Sequence, residues 1–184
     1  MGKEEHAIIL DFLPNGYPFD KRPMYKKTPI AQAMGKESMV LLELIPKKDI
    51  FLQPHKEVYI GEDKREEIHH IARRLNYSTL TETAKAEVNF VITELVQKNE
   101  GKFVEFFNKA GPLNMRVHQL ELLPGIGKKH MIEILEQRRD KPFKSFNDIK
   151  TRVNLIPDPE KTIIRRILLE LEGNENHYLF IKPN

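Results

Sequence analysis

The stretch Leu120–Leu135, LELLPGIGKKHMIEIL, decides the fold of this 184-residue chain. An apolar segment ends at Leu123, the residues Pro-Gly-Ile-Gly predict a tight turn, and a second helix is predicted from Lys128. The two glycines permit backbone angles and close approaches that other residues do not. We expect the turn to leave backbone amides at a helix N-terminus, where partial positive charge attracts an anion such as phosphate.

These residues resemble the helix-hairpin-helix motif, in which an apolar-x-Gly-apolar-Gly hairpin joins two helices. The resemblance implies that this turn binds the backbone phosphates of nucleic acid. Such contacts position a strand but do not recognise its bases. Met131 stands where the motif usually has a small residue, so we expect the two helices to be further apart. Ile126 should point inward and anchor the turn. The candidate nucleic-acid-binding residues are Pro124, Gly125, Ile126, Gly127, Lys128, Lys129 and His130.

A second copy of the segment follows 33 residues later, where LIPDPEKTIIRRILL (Leu155–Leu169) aligns with LLPGIGKKHMIEILE (Leu122–Glu136). Asp158 and Glu160 replace the two glycines, and carboxylates repel phosphate. We therefore interpret the second hairpin as a structural half without the anion site. The link KPFKSFND (141–148) resembles the connector between paired hairpins, with Ser145 as a helix cap.

The fold class predicted from the whole chain is α+β. Short strands with frequent proline breaks predict a small β-barrel over residues 1–62, which the family resemblance given below implies to be OB-like, and the tail 176–184 is a candidate extra strand at its edge. An all-α domain is predicted over 63–175, ending in a degenerate tandem helix-hairpin-helix, SAM-like unit at about 116–172. The predicted strands cover 6–13, 38–45, 49–52 and 57–60. The predicted helices cover 64–75, 78–98, 102–110, 117–122, 128–139, 146–153 and 162–172.

Composition excludes several classes of protein. Charged residues make up 31% of the chain, and no apolar run approaches the length of roughly 20 residues that crosses a bilayer. The absence of cysteine excludes disulfides, thiolate metal sites and cysteine nucleophiles. The N-terminus does not read as a signal peptide, so a cytoplasmic location is expected.

The small net charge of +3 is concentrated in one segment. Arg116–Glu172 holds 12 basic and 9 acidic residues, so the rest of the chain is neutral in sum. This excess surrounds the hairpin and predicts a basic surface. Its secondary candidates are Arg138, Arg139, Lys144, Lys161, Arg165 and Arg166.

A second candidate surface is the loop Pro14–Pro29, PNGYPFDKRPMYKKTP. Cations alternate with aromatic residues there, and aromatic rings beside cations hold single-stranded nucleic acid in OB-type barrels. A proline-stiffened loop that covers the barrel is the alternative interpretation. The candidate residues are Tyr17, Phe19, Lys21, Arg22, Tyr25, Lys26 and Lys27.

Over essentially its full length, the chain resembles the archaeal DUF655 family. The resemblance rests on YIGEDKREEI (Tyr59–Ile68) after a small barrel, two intervening helices and then LLPGIGKKH. It implies an OB-like barrel followed by a helix-hairpin-helix domain, presumed to bind nucleic acid. It also implies that the gene lies near genes for translation proteins and for a ribosomal RNA dimethyltransferase. No activity is attached to the family.

The function predicted from the sequence is nucleic-acid binding without catalysis, with RNA favoured over DNA and a link to translation or ribosome biogenesis. One alternative is an adaptor whose helical domain docks a protein of the translation or transcription machinery. A less favoured alternative is a glycosylase-like DNA repair enzyme that uses Lys129 and Asp148. No cofactor or metal is predicted, because no phosphate-loop, dinucleotide or zinc motif is present and no histidine pair offers enough ligands.

Overall fold

A computed structural model of the chain describes residues 3–183. Within them the protein is α+β, with a five-stranded antiparallel sheet and five α-helices. The chain divides into two compact units. The first comprises the residues up to Val91 together with those from Glu170 onward, and the second is Ile92–Leu169. The expected boundary between residues 62 and 63 falls inside the first unit.

The sheet of the first unit is curled into a half-barrel in the strand order β4-β1-β2-β3-β5. The expected barrel is therefore open, with β4 and β5 as its edges. Every neighbouring pair of strands is antiparallel, and β1 carries an irregularity in register between Ile9 and Asp11. The strands are β1 (His6–Leu13), β2 (Ile30–Gly35), β3 (Leu41–Pro46), β4 (Glu57–Tyr59) and β5 (Ile68–Arg74).

The core of the first unit lies on one face of this sheet. Alternate residues of β1, β2 and β3 point to the same face of a pleated sheet, so Ile9, Ala33 and Leu44 come together there. Residues outside these three strands complete the cluster. The full set is Ala7, Ile9, Ala31, Ala33, Leu42, Leu44, Leu52, Val58, Ile60 and Ile68.

The expected helix over 64–75 is wrong, because Ile68–Arg74 is strand β5. The spacing of Ile68, Ile71 and Leu75 fits a helical face, but a short apolar pattern does not by itself distinguish a helix from a strand. In the structure the residues from 69 to 74 are exposed, and the segment pairs with β3, with Ile71 opposite Leu44. Pairing with β3, which is distant in sequence, overrides the local pattern.

Two further strand predictions need correction. Asp49–Leu52 is not a strand, whereas β2, with the alanine-containing sequence IAQAMG, is one that the pattern did not indicate. Alanine and glycine are depleted in strands, and β2 forms because β1 and β3 pair with it on both sides.

The described part of the tail 176–184 contains no strand, so the expected extra barrel strand is wrong. The backbone amides of Leu179, Phe180 and Ile181 instead donate to the buried carboxylate of Glu170, at 2.6, 2.9 and 2.8 Å. Successive amides that converge on one carboxylate are not available to form a β-ladder. The tail is thereby fixed to the end of the last helix.

The five helices follow the predicted order, with small differences at their ends. Residues 117–122 form a short 3-10 turn, Gln119–Leu122, instead of an α-helix. No helix within residues 3–183 combines the length and apolar character needed to cross a membrane. The helices are α1 (Glu82–Lys98), α2 (Glu100–Lys109), α3 (Lys128–Asp140), α4 (Phe146–Arg152) and α5 (Pro159–Glu172).

Side-chain hydroxyls cap the starts of α1 and α4. The hydroxyl of Thr81 accepts from the Ala84 amide at 3.0 Å and begins α1. The hydroxyl of Ser145 accepts from the Asp148 amide at 3.0 Å and begins α4, which confirms the predicted cap.

Candidate nucleic-acid interface

The turn before α3 is held by its own backbone and by one buried side chain. The Ile126 amide donates to the Leu123 carbonyl at 3.0 Å, and the Leu123 amide donates to the Leu120 carbonyl at 3.2 Å. The side chain of Ile126 is buried, as predicted. Gly125 and Gly127 on either side of it are exposed. The turn is therefore anchored through Ile126 and presents its glycines to solvent.

Gly125 is required by geometry. Its φ of +84° lies in the left-handed region, which glycine adopts without the steric penalty that a β-carbon brings. A β-carbon at this position would also lie 3.0 Å from Cγ of Pro157, in the second copy of the segment. The two related segments thus meet at Gly125 and Pro157. Gly127 is different, because its φ is −99° and a β-carbon there would contact nothing within 4 Å.

The N-terminus of α3 is open and positively charged. Its first intrahelical bond runs from the Met131 amide to the Gly127 carbonyl at 2.9 Å, so the amides of the preceding turn have no helical acceptor. No side chain caps the helix, and no acidic residue lies in its first turn. Lys128 and Lys129 are exposed beside these amides, and His130 is half-buried. Exposed amides and two cations together form a site that suits an anion.

A capping box around His118 fixes the 3-10 turn that leads into the hairpin. Nδ1 of His118 accepts from the Leu120 amide at 3.1 Å, and the His118 amide donates to the Glu121 carboxylate at 2.9 Å. Burial, followed by the charge of Arg138, lowers the pKa of His118. This cap is not evident from sequence because histidine is not among the usual N-caps, although Glu121 at the third helical position is a usable signal.

The start of α5 provides a direct contrast with the start of α3. Asp158 accepts from the Lys161 amide at 3.3 Å through its side chain and from the Thr162 amide at 3.0 Å through its carbonyl. Its carboxylate also pairs with Lys150 at 3.5 Å. The chain's own carboxylate therefore occupies the position that an external anion would take.

The predicted secondary basic residues divide into two groups. Arg139, Lys144, Lys161 and Arg165 are exposed. Arg138 is half-buried and donates to the carbonyls of Phe107 and Ala110, at 3.0 and 2.8 Å, where α2 ends. Arg166 is only 3% exposed and donates to the Leu122 carbonyl at 3.1 Å. Arg138 and Arg166 are thus directed into the protein, because carbonyls left over at helix and turn ends attract cationic donors.

Arg152 is a structural residue that sequence reasoning missed. Its guanidinium donates to the carbonyls of Gln137 and Lys141, at 2.6 and 2.5 Å, and lies 4.5 Å from the ring centroid of Phe143. It thereby fixes the connector between the two copies. No local pattern indicates this role, since all three partners precede Arg152 by nine residues or more.

The predicted loop Pro14–Pro29 belongs to the other unit. Tyr17 and Lys27 are half-buried, and the remaining candidates of the loop are exposed. Arg22 is paired with Asp20 at 2.7 Å.

The described part of the chain holds no group of three or more histidine, aspartate or glutamate residues placed to bind a metal ion.

Comparison with known proteins gives a consistent result. The family model described as "Protein of unknown function (DUF655)" matches residues 3–182. The uncharacterized protein MJ0038 of Methanocaldococcus jannaschii is 42% identical over 181 residues, which are 97% of this chain and 80% of that protein. The crystal structure of Af1531 from Archaeoglobus fulgidus, described as family-model DUF655, matches with a TM-score of 0.87 and 43% identity. That match covers 97% of this chain and all of the other.

Proposed function

Because the chain belongs to the DUF655 family, whose description assigns no function, we propose its role from its own geometry: it binds nucleic acid through backbone phosphates. The binding element is the turn Gly125–Lys129 with the N-terminus of α3. We propose further that the two segments meeting at Gly125 and Pro157 form a degenerate tandem helix-hairpin-helix. In this arrangement only the first hairpin takes a phosphate.

The observation that carries the proposal is the difference between the starts of two related helices. The start of α3 has exposed glycines, exposed lysines and no acidic residue in its first turn. The start of α5 has Asp158 on its amides and Glu160 in its first turn. Since partial positive charge and unpaired amides at a helix N-terminus attract phosphate, only α3 is prepared to bind one.

Such a site recognises the backbone and not the bases, so affinity should vary little with sequence and fall steeply with salt. We favour RNA over DNA because the family resemblance implies that genes for translation proteins lie nearby. We propose binding without catalysis. Asp148, the candidate base of a glycosylase, is engaged by the Lys144 amide at 2.9 Å and by Arg152 at 3.2 Å. The hydrogen bond from Lys144, followed by that from Arg152, lowers the pKa of Asp148, which makes it a weaker base.

The test measures binding of labelled RNA and duplex DNA at two ionic strengths. The double variant Lys128→Glu/Lys129→Glu should bind more weakly to every sequence and should show a salt slope lower by about 2. The control Lys98→Glu/Lys102→Glu makes the same charge change at exposed positions of the second unit. Equal effects of the two double variants, or binding that neither salt nor the hairpin variant alters, would overturn the proposal.

A protein adaptor is the second candidate function, and exposed apolar side chains in the second unit favour it. Met115 is fully exposed, and Ile132 and Leu155 are also largely exposed. Exposed apolar side chains that form one contiguous patch mark a protein contact surface, so the adaptor requires that these three side chains act together. A pull-down after nuclease treatment that retrieves one stoichiometric protein, lost on Met115→Ser or Leu155→Ser, would favour the adaptor.

A further inference from the structure

A network of hydrogen bonds ties the loop Pro14–Pro29 to the sheet of the first unit. The hydroxyl of Tyr17 donates to the buried carboxylate of Glu43 at 2.5 Å and accepts from the buried amide of Gln32 at 3.2 Å. Arg73 of β5 donates to the same Glu43 carboxylate from Nε and Nη2, at 3.1 and 3.0 Å. The phenol ring of Tyr17 is thereby held in one position. Burial, followed by the bond to Glu43, raises the pKa of Tyr17.

Tyr17 in turn supports an exposed aromatic ring. The ring of Phe19 is stacked on that of Tyr17, with centroids 4.9 Å apart and planes within 9° of parallel. Phe19 is nevertheless 76% exposed. A large apolar ring that is fixed by its neighbour and left in water is a stacking surface without an occupant among the described residues. Because the Phe19 ring is left in water, the fold does not gain the hydrophobic free energy that burying this ring would provide.

The same loop also carries exposed cations. The segment 14–29 holds four basic residues and one acidic residue. The acid, Asp20, is neutralised by Arg22, whose bonds lower the pKa of Asp20 to about 2. Lys21 and Lys26 are exposed, and Lys26 lies 5.8 Å from the ring of Tyr25, which is 83% exposed. The loop therefore combines exposed rings with uncompensated positive charge.

We propose that this loop is a binding site for unpaired nucleobases, with one base stacked on Phe19 and a second on Tyr25, and with Lys21 and Lys26 near the flanking phosphates. Every nucleobase has a π-face, so such a site accepts single strands of any sequence. The proposal goes beyond the phosphate grip of the hairpin, since it assigns base contacts to a different unit of the protein. Single-stranded RNA and single-stranded DNA share this chemistry.

The experiment measures the affinity of the full chain for labelled uridine and thymidine 12-mers, and for an abasic 12-mer with the same phosphates. Phe19→Ala should weaken binding of at least one base-bearing strand about tenfold, within the range for loss of one stacked base. It should leave the abasic strand and the salt slope unchanged. The control is Phe51→Ala, which removes an exposed phenylalanine of the same unit that packs on Phe12.

The proposal is overturned if Phe19→Ala and Phe51→Ala have equal effects on both base-bearing strands, or if the wild type binds abasic and base-bearing strands equally. Thermal unfolding of both variants shows whether folding is preserved, which we expect because both side chains are exposed. The hairpin proposal fails separately, since it predicts that Lys128→Glu/Lys129→Glu lowers the salt slope whatever Phe19→Ala does.

Discussion

The α-carbon of Gly125 faces the ring of Pro157, so closely that a β-carbon at residue 125 would lie 3.0 Å from Cγ of the proline. This contact joins the two related segments of the second unit, and it requires that residue 125 be a glycine. Gly127, two residues later, has open space around it and an ordinary φ. The two glycines of one turn therefore differ in their roles, and a matched pair of variants separates them.

We expect Gly125→Ala to lower the free energy of unfolding by about 1–3 kcal/mol, from the left-handed φ together with the contact to Pro157. Gly127→Ala should lower it by less, about 0.5–1 kcal/mol, because residue 127 is the N-cap of α3, where alanine is less favourable than glycine. Urea denaturation monitored by circular dichroism measures both. Equal destabilisation by the two alanines would show that the Gly125–Pro157 contact does not constrain the fold.

The cap formed by His118 should make stability depend on pH. The folded state lowers the pKa of this histidine, so the unfolded state binds the proton more readily. Stability is therefore retained above the ordinary histidine pKa of about 6.5 and is lost progressively as the pH falls below it. The charged groups that act on His118 are Arg138, which lowers its pKa, and its capping partner Glu121, which raises it.

The variant His118→Asn keeps a side-chain acceptor for the Leu120 amide but does not titrate in this range. We expect the free energy of unfolding of the wild type to fall more between pH 7.5 and pH 5 than that of the variant. Denaturant titrations at several pH values provide the comparison. Parallel pH profiles for the two proteins would remove His118 as the cause.

Two adjacent arginines should have opposite roles. Arg138 donates to two carbonyls at the end of α2, whereas Arg139 is exposed. We expect Arg138→Ala to cost about 1–3 kcal/mol of stability, the usual range for hydrogen bonds of a charged group. Arg139→Ala should leave stability unchanged and, if the basic surface contributes, should weaken binding of nucleic acid. Loss of stability in Arg139→Ala alone would contradict this assignment.

The carboxylate of Glu170 should hold the tail in place. It accepts three successive amides, from Leu179, Phe180 and Ile181. Glu170→Ala should therefore accelerate hydrogen exchange at these amides, whereas Glu172→Ala at an exposed neighbouring position should not. Exchange measured by mass spectrometry on the C-terminal peptide distinguishes the two. Unchanged protection in Glu170→Ala would mean that other contacts fix the tail.

The features that sequence alone predicted correctly depend on local chemistry. The turn before Lys128, the burial of Ile126 and the cap at Ser145 involve partners within a few residues, so residue type and spacing suffice to indicate them. The first strand, His6–Leu13, is predicted by its own run of apolar residues in the same way.

The features that sequence missed depend on distant partners. Strand β5 forms because it pairs with β3, and the tail is not a strand because its backbone amides donate to the carboxylate of Glu170. Likewise Arg138 and Arg166 look like surface cations in the sequence, yet each donates to carbonyls that lie 28 or more residues away along the chain. No local pattern carries that information.

The central claim is that the amides at the start of α3 bind phosphate, and amide chemical shifts measure this most directly. In a titration of the labelled protein with a short single-stranded RNA at low salt, the amides of Gly125, Gly127, Lys128 and Lys129 should shift. The amides of Glu160 and Lys161 at the start of α5 should not, because Asp158 already occupies that helix end. Equal shifts at both helix ends, or none at α3 in the presence of binding, would contradict the account.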